Sequence, residues 1–225
     1  MNKKNCEKIL AIICAYNEER HIREVIEGTK KYVDKVLVVD DCSTDRTSEE
    51  VKKTDAIYIR HDKNKGKGGA LRTGFSYFIE NRYDAIVTID GDGQHDPQEI
   101  PELLRGLAFY DIIIGTRSKL GTGMPLIRIF TNFSCSLIVS ILAFTWIKDS
   151  QSGYRVIKQK VLKNMSLISN RFNLESEFLI RAGRRGYKIG AVPVKTIYGD
   201  EKSKMDPIKD PLRFVGLVFK SILWW

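Results

Sequence analysis

The sequence predicts an α/β domain with a mostly parallel sheet and helices on both of its faces. Three observations predict it. Short apolar, β-branched runs alternate with amphipathic segments through the first half of the chain, the rhythm of strand–helix–strand units. The length of 225 residues, with 43% hydrophobic and 29% charged residues, suits one large domain able to bury a core. Polar and acidic residues gather where the apolar runs end, and sheets of this kind bind ligands beyond the carboxyl ends of their strands.

Taken in order, Lys8–Cys14 is an apolar run and reads as the first strand. Asn17-Glu18-Glu19 opens an amphipathic helix with acids in its first turn, where the helix dipole favours them. Lys35–Val39 is the second strand, and Thr44 or Asp45 opens a helix that runs to about Thr54. Ala56–Arg60 is a third strand, Gly66–Asn81 a helix and Ala85–Ile89 a fourth strand. Asp96 is placed to cap a helix whose first residue is Pro97, ending near Ala108. Asp111–Gly115 is a fifth strand.

The second half breaks this rhythm. Leu126–Ile147 is a long apolar stretch interrupted by Arg128, Thr131, Asn132, Ser134 and Ser136. Its uninterrupted part falls short of the ~20 residues of a membrane span, which predicts a buried or interfacial helix. Asp149–Arg155 is a polar turn before a short strand, Leu174–Tyr187 a helix and Lys188–Lys195 a further strand. Residues 199–211 form a charged loop with two prolines, and Pro211–Trp225 is an apolar closing segment carrying Arg213, Lys220 and a Trp pair. Such a segment suits either a membrane interface or a helix packed on the core. Residues 1–205 are therefore read as the main domain, with an interfacial helix near 125–147, and 206–225 as a membrane-associating segment.

Charge divides the same way. Residues 1–114 hold 18 Lys/Arg against 21 Asp/Glu, and residues 115–225 hold 19 against 7. A basic second half is either a solvated face or suited to an anionic partner. It carries no recognisable nucleic-acid motif, so no nucleic acid is expected. The four cysteines form no CxxC pair, the three histidines are scattered, and no signal peptide opens the chain. Zinc is not expected, and a reducing, cytosolic setting is.

The chemistry is concentrated in TIDGDGQHDP, residues 88–97. Asp90 and Asp92 flank Gly91 at the end of a buried strand, where carboxylates repel one another and resist desolvation. A divalent cation would relieve this. Mg²⁺ or Mn²⁺ takes oxygen ligands and commonly binds through one or two carboxylates plus substrate phosphates. Gln94 offers a further neutral oxygen. VVDDCSTDRT, residues 38–47, puts a second acidic pair after a second strand. Asp40 or Asp41 can accept hydrogen bonds from a nucleobase, or tether the loop. AYNEE, residues 15–19, adds an aromatic and an acid at the first strand end. NKGKGGALRTG, residues 64–74, is a glycine- and lysine-rich turn that could meet phosphate through backbone N–H groups, Lys65 and Lys67. It is neither a P-loop nor a dinucleotide fingerprint. An aspartyl phosphatase or a receiver domain would carry its acids after the first strand, not the fourth.

The ordered set AYNEE, VVDDCSTDRT, NKGKGGALRTG, TIDGDGQHDP, GTR and DSQSGYR resembles family 2 glycosyltransferases over residues 8–205. More closely it resembles the branch of dolichyl-phosphate mannose synthases and polyprenyl-phosphate glucosyltransferases. The resemblance implies a GT-A fold, a nucleotide-sugar donor such as GDP-mannose or UDP-glucose, Mg²⁺ or Mn²⁺, and inverting transfer. It places Tyr16, Glu18, Val39 and Asp41 at the base and ribose, and Asp90, Gly91, Asp92 and Gln94 at the metal and diphosphate. Arg117, with Asp92 the candidate catalytic residue, would meet the acceptor phosphate or the donor diphosphate. Arg128 and Asn132 would serve the acceptor, and Lys204 would close on the donor. Cys14 stands where the family often has Pro, and Tyr198 near the place of an arginine. No QxxRW motif is present, which argues against a processive polysaccharide synthase.

A phosphate acceptor agrees with this chemistry. Displacing a nucleoside diphosphate needs its charge neutralised, which a metal and Lys/Arg side chains do. An alcohol acceptor also needs a general base. A phosphomonoester, with a second pKa of about 6, is already charged near neutral pH. The expected reaction moves a hexose to a polyprenyl phosphate, dolichyl or undecaprenyl, by a peripheral enzyme at the cytoplasmic membrane face. An integral-membrane protein partner is compatible with it. The alternatives are a glycan or protein hydroxyl acceptor, or a non-catalytic nucleotide-sugar-binding module.

Overall fold

The computed structural model describes residues 8–117, 126–169, 173–195 and 209–222, with the backbone alone for 126–128 and 209–210. The strands are β1 Ile9–Ala15, β2 Lys35–Asp40, β3 Ile57–Arg60, β4 Ala85–Asp90, β5 Ile112–Arg117, β6 Arg155–Lys158 and β7 Ile189–Val194. The helices are α1 Ile22–Thr29, α2 Thr47–Lys52, α3 Lys67–Glu80, α4 Ile100–Gly106, α5 Leu126–Ala143, α6 Gln159–Lys163, α7 Asn173–Arg184 and α8 Lys209–Ile222.

The described strands form one seven-stranded sheet in the order β3-β2-β1-β4-β6-β5-β7. β1 pairs in parallel with β2 on one side and β4 on the other. β6 alone runs against its neighbours β4 and β5. Alternate side chains of a strand point to opposite faces, and both faces are covered here, which is why the strands read as near-continuous apolar runs. Leu10, Ile12, Leu37, Val39 and Ile86 pack on one side with Phe78 of α3 and Phe178 of α7. Ile9, Ala11, Ile13, Val38 and Val87 pack on the other with Ile22 and Ile26 of α1 and Leu103 of α4.

Three expected helix starts move, each for a visible reason. Asn17 does not begin α1, because it sits at φ 56° in a turn. Its Oδ1 accepts the Thr44 N–H, and the Glu18 N–H donates to Thr47 Oγ1, so the segment is tied to the loop after β2. Asp96 does accept the Gln98 N–H, but Pro97–Glu99 is a 3-10 turn and α4 follows it. Asp45 acts one step later than expected, accepting from both the N–H and the hydroxyl of Thr47 at the start of α2.

The long apolar stretch forms α5, and two of its serines are bonded within the protein. Ser140 Oγ accepts the Ile147 N–H and Ser136 Oγ accepts the Ser150 N–H, so the serines hold the returning loop. Among the described residues no helix is long and apolar enough to cross a membrane. α5 and α8 pack on α7 and on each other. Arg184 of α7 ties them together by donating to the carbonyls of Leu142 and Ser221.

Candidate active site

The strand order turns at β1, whose neighbours are β2 and β4, and the carboxyl ends of these strands are where a sheet of this kind binds its ligand. Register brings the acids together: Ala15 lies beside Asp40, and Cys14 beside Asp90. Because β6 is antiparallel, its first residue Arg155 lies beside Thr88 of β4 and Ile114 of β5. The polar turn before β6 is thereby delivered to the same end as the acids.

Asp90 is the centre of the cluster. Lys67, at the start of α3, sets its Nζ 2.8 Å from Asp90 Oδ1 and 2.9 Å from Oδ2. The same ammonium lies 3.4 Å from Glu175 of α7, and Arg155 lies 3.8 Å beyond on Glu175. Burial opposes charge on Lys67, but Asp90 and Glu175 outweigh it and hold its pKa above the ordinary lysine value. Burial likewise raises Asp90, and the charge of Lys67, helped by His95 and Arg117, carries it below the ordinary carboxylate value. The pair fits because residue 153 is glycine: a Cβ there would lie 2.6 Å from Lys67 Nζ and 2.8 Å from Asp90 Oδ2. Thr88 Oγ1 fixes that turn by donating to the Gly153 carbonyl.

Asp92 is half-buried and one of its oxygens accepts the Gln94 N–H at 3.0 Å. Gly93 takes φ 73° to make the turn, against the ring of His21. The Gly91 N–H donates to the Cys14 carbonyl at 3.3 Å, and a Cβ on Gly91 would crowd Ile22 and that same carbonyl oxygen. His95 is buried with its ring 4.9 Å from that of Tyr154, whose hydroxyl donates to the Asp96 carbonyl. Burial pulls the His95 pKa down to about 4, so the imidazole is neutral. Its Nδ1 has no hydrogen-bond partner among the described residues.

Arg117 is oriented by Asp149 through two parallel bonds, Nε–Oδ2 at 3.0 Å and Nη2–Oδ1 at 3.1 Å. Asp149 is almost wholly buried, and Arg117 keeps part of its surface open. A bidentate pair of this kind fixes the guanidinium plane.

The base-side residues divide. Tyr16 is exposed and Glu18 buried at the end of β1. The Val39 side chain is wholly inside the core, so only its backbone can face a ligand. Asp41 accepts from the N–H groups of Lys65 and Gly66 and pairs with His61 Nδ1 at 2.7 Å, while His61 Nε2 meets Thr73. The expectation that the 64–74 turn offers its backbone N–H groups to phosphate is therefore corrected for these two, since Asp41 takes them. Asp40 is the loop tether, bonded to Ser43, Ser48, Tyr58 and Arg60. Burial opposes its charge, and the hydrogen bonds from Ser43, Tyr58 and Ser48 hold its pKa below the usual value. Asn132 is half-buried on α5; Arg128 shares that helix, but its side chain lies outside the described residues, as does Lys204 entirely.

Five residues of the cluster were not singled out from the sequence as site residues: His95, Asp149, Gly153, Arg155 and Glu175. Arg155 carried a signal, a charge opening the buried strand RVIK. Glu175 carried one too, an acid among the apolar residues of NLESEFLI with Glu177, itself fully buried, two positions on.

Residues 10–165 match the family described as Glycosyl transferase family 2. The chain belongs to this family. It is 35% identical over 215 residues to the UDP-N-acetylglucosamine–dolichyl-phosphate N-acetylglucosaminyltransferase of Methanococcus voltae, covering 84% of this chain and 86% of that one. It is 30% identical over 200 residues to the undecaprenyl-phosphate mannosyltransferase of Micrococcus luteus, covering 83% and 82%. Among solved structures it is similar to glucosyl-3-phosphoglycerate synthase from Mycobacterium tuberculosis, in complex with Mn²⁺, UDP and glucosyl-3-phosphoglycerate. The TM-score is 0.74 at 19% identity, over 97% of this chain and 79% of that one. The chain is a glycosyltransferase with a GT-A-like fold.

Proposed function

We propose that this glycosyltransferase moves a hexose from a nucleotide sugar to a polyprenyl phosphate, with inversion, at a membrane surface. The observation that carries the reading is the acid pair Asp90/Asp92 at the switch of the sheet, faced by an Arg117 that Asp149 orients. The relatives named for transfer to dolichyl phosphate and undecaprenyl phosphate support the acceptor. Their names give different sugars, so the donor is chosen from GDP-mannose, UDP-glucose and UDP-N-acetylglucosamine.

The donor set suits a divalent ion. Among the described residues no group of three or more His, Cys, Asp or Glu side chains gathers as for a metal held by protein alone. Two carboxylates with the remaining ligands from a diphosphate is the arrangement Mg²⁺ and Mn²⁺ commonly take. When bound, such an ion would neutralise charge on the leaving diphosphate. The similar synthase structure contains Mn²⁺ with UDP, which supports the same choice.

The chain's own residues do the rest. Tyr16, Glu18 and the backbone of Val39 line the base side, and Asp41 shapes the loop beside them. Arg117 holds the acceptor phosphate, and the roles proposed for Arg128 and Asn132 are with the acceptor and for Lys204 with the donor. A phosphate oxygen attacks the anomeric carbon in line, the bond to the diphosphate breaks, and the nucleoside diphosphate leaves with both bonding electrons. No general base is needed, because the acceptor is already ionised.

The membrane reading rests on exposed apolar surface. On α8, Leu212, Val215, Phe219 and Ile222 are exposed at helical spacing, while Leu217 and Ser221 face inward. On and just after α5, Phe130, Phe133, Ile141, Phe144 and Trp146 are exposed. Apolar faces of this extent mark interaction surfaces, and an amphipathic helix with Lys and Arg suits the headgroup region. Residues 206–225 are accordingly the membrane-associating segment, and the enzyme is peripheral at the cytoplasmic face. The test is donor turnover by the purified protein with each nucleotide sugar, Mg²⁺ or Mn²⁺, and a short-chain polyprenyl phosphate. Lipid-dependent, EDTA-sensitive release of one nucleoside diphosphate is expected; metal-independent release would overturn the role given to Asp90 and Asp92.

A further inference from the structure

We propose that Lys67 is a tethered counter-cation that holds Asp90 in the metal-free protein and moves onto Glu175 when a divalent ion binds. Lys67 and Glu175 together then set the affinity of the metal site. The inference rests on the reading of Asp90 and Asp92 as metal carboxylates. Three observations on this chain carry it.

The ammonium sits astride both oxygens of Asp90, at 2.8 and 2.9 Å, the place a cation shared by the two oxygens would take. A Mg²⁺-sized ion approaches its oxygens to about 2.0–2.1 Å, so ion and ammonium compete for that face. Lys67 also has a second seat: Glu175 lies 3.4 Å from the same Nζ and is itself buried. Finally, the movement is confined. Gly153 closes one side of the pair so tightly that even a methyl group would touch both partners.

Charge explains why both seats exist. A buried Asp90 carboxylate without a cation is costly, and the Lys67 ammonium across its two oxygens offsets that cost. A divalent ion on Asp90 repels an ammonium beside it, and leaning toward Glu175 relieves that repulsion without exposing the lysine. Lys67 is a positioning residue in this scheme. It sets the order of events, since Asp90 is occupied until a stronger cation takes it.

The experiment is a Mn²⁺ titration of the full chain without nucleotide, with free Mn²⁺ read by electron paramagnetic resonance. Three proteins are compared: parent, Lys67→Met and Glu175→Gln, with folding checked by circular dichroism. Lys67→Met removes the competitor and tightens Mn²⁺ binding about tenfold, the equivalent of one unit of pKa on a carboxylate. Glu175→Gln removes the second seat and weakens it about threefold, on the same scale. A residue that only supports the fold would not move affinity in opposite directions at two adjoining positions. If the parent binds Mn²⁺ and Lys67→Met binds it equally or less tightly, the inference fails while the metal reading stands. Should Lys67→Met not fold, unchanged or tighter binding by Glu175→Gln overturns it. No binding by any of the three overturns the inference, while the metal reading, whose remaining ligands come from the diphosphate, is tested separately by the EDTA-sensitivity of donor turnover.

Discussion

Acidification should destabilise this protein through His95 before Asp40 and Asp90 protonate. His95 is buried against Tyr154, and burial lowers its pKa from 6.5 to about 4. A base whose pKa is depressed in the folded state contributes stability that is complete above its unfolded value. That contribution is lost as pH falls toward the folded value, because the unfolded chain takes up the proton first. The full difference is worth about 3.4 kcal/mol, and about 2.5 kcal/mol of it is lost by about pH 4.5. Asp40 and Asp90, whose pKa values lie below the ordinary 3.8, lose their contributions at lower pH still. Glu99, raised by burial, titrates with the opposite sign in part of the window. The assay is therefore a subtraction: urea unfolding of the parent and of His95→Gln, in EDTA, between about pH 7.5 and 4.5. The variant loses packing at every pH, but its curve is flatter by about 2–3 kcal/mol across the range. Parallel curves would refute the reasoning, since a buried neutral imidazole must produce the slope.

Three further outcomes follow from the same geometry. Asp92→Ala abolishes turnover, by about a thousandfold as for loss of a main electrostatic group, while the melting temperature changes little because Asp92 is only half-buried; steady-state kinetics beside calorimetry checks both. Asp149→Asn leaves Arg117 present but poorly oriented, and raises the KM for the lipid phosphate about tenfold more than the KM for the nucleotide sugar, the loss expected of a charge-assisted pair. Leu212→Glu with Phe219→Glu removes binding to vesicles of mixed neutral and anionic lipid in a flotation assay. The variant keeps its fold, because both positions are exposed on α8.

Much of the fold was legible because the central strands of the first half are buried on both faces and read as apolar runs, β1 and β4 above all. The helix starts were less so. Asn17 carries the sequence signal of a helix opening, yet tertiary bonds to the loop after β2 hold it in a turn. Asp90 and Asp92 were visible because acids at the end of a buried strand demand an explanation. The pairing of Asp90 with Lys67, and of Lys67 with Glu175, was not, since these residues meet only through the fold. Asp40 and Asp41 show the same limit. The residues alone left open which of them tethers the loop, the resemblance set Asp41 at the base, and the fold bonds Asp40 to the loop after β2 and Asp41 to the glycine-rich turn.

The central claim is that the acceptor is a phosphate carried on a lipid. The most direct measurement compares a short polyprenyl phosphate with the polyprenol of the same chain, at equal concentration, with the preferred donor and Mn²⁺. Sugar transfer and nucleoside diphosphate release are expected with the phosphate, and none above background with the alcohol. Equal transfer to the alcohol would show that a general base operates in this site and would contradict the account.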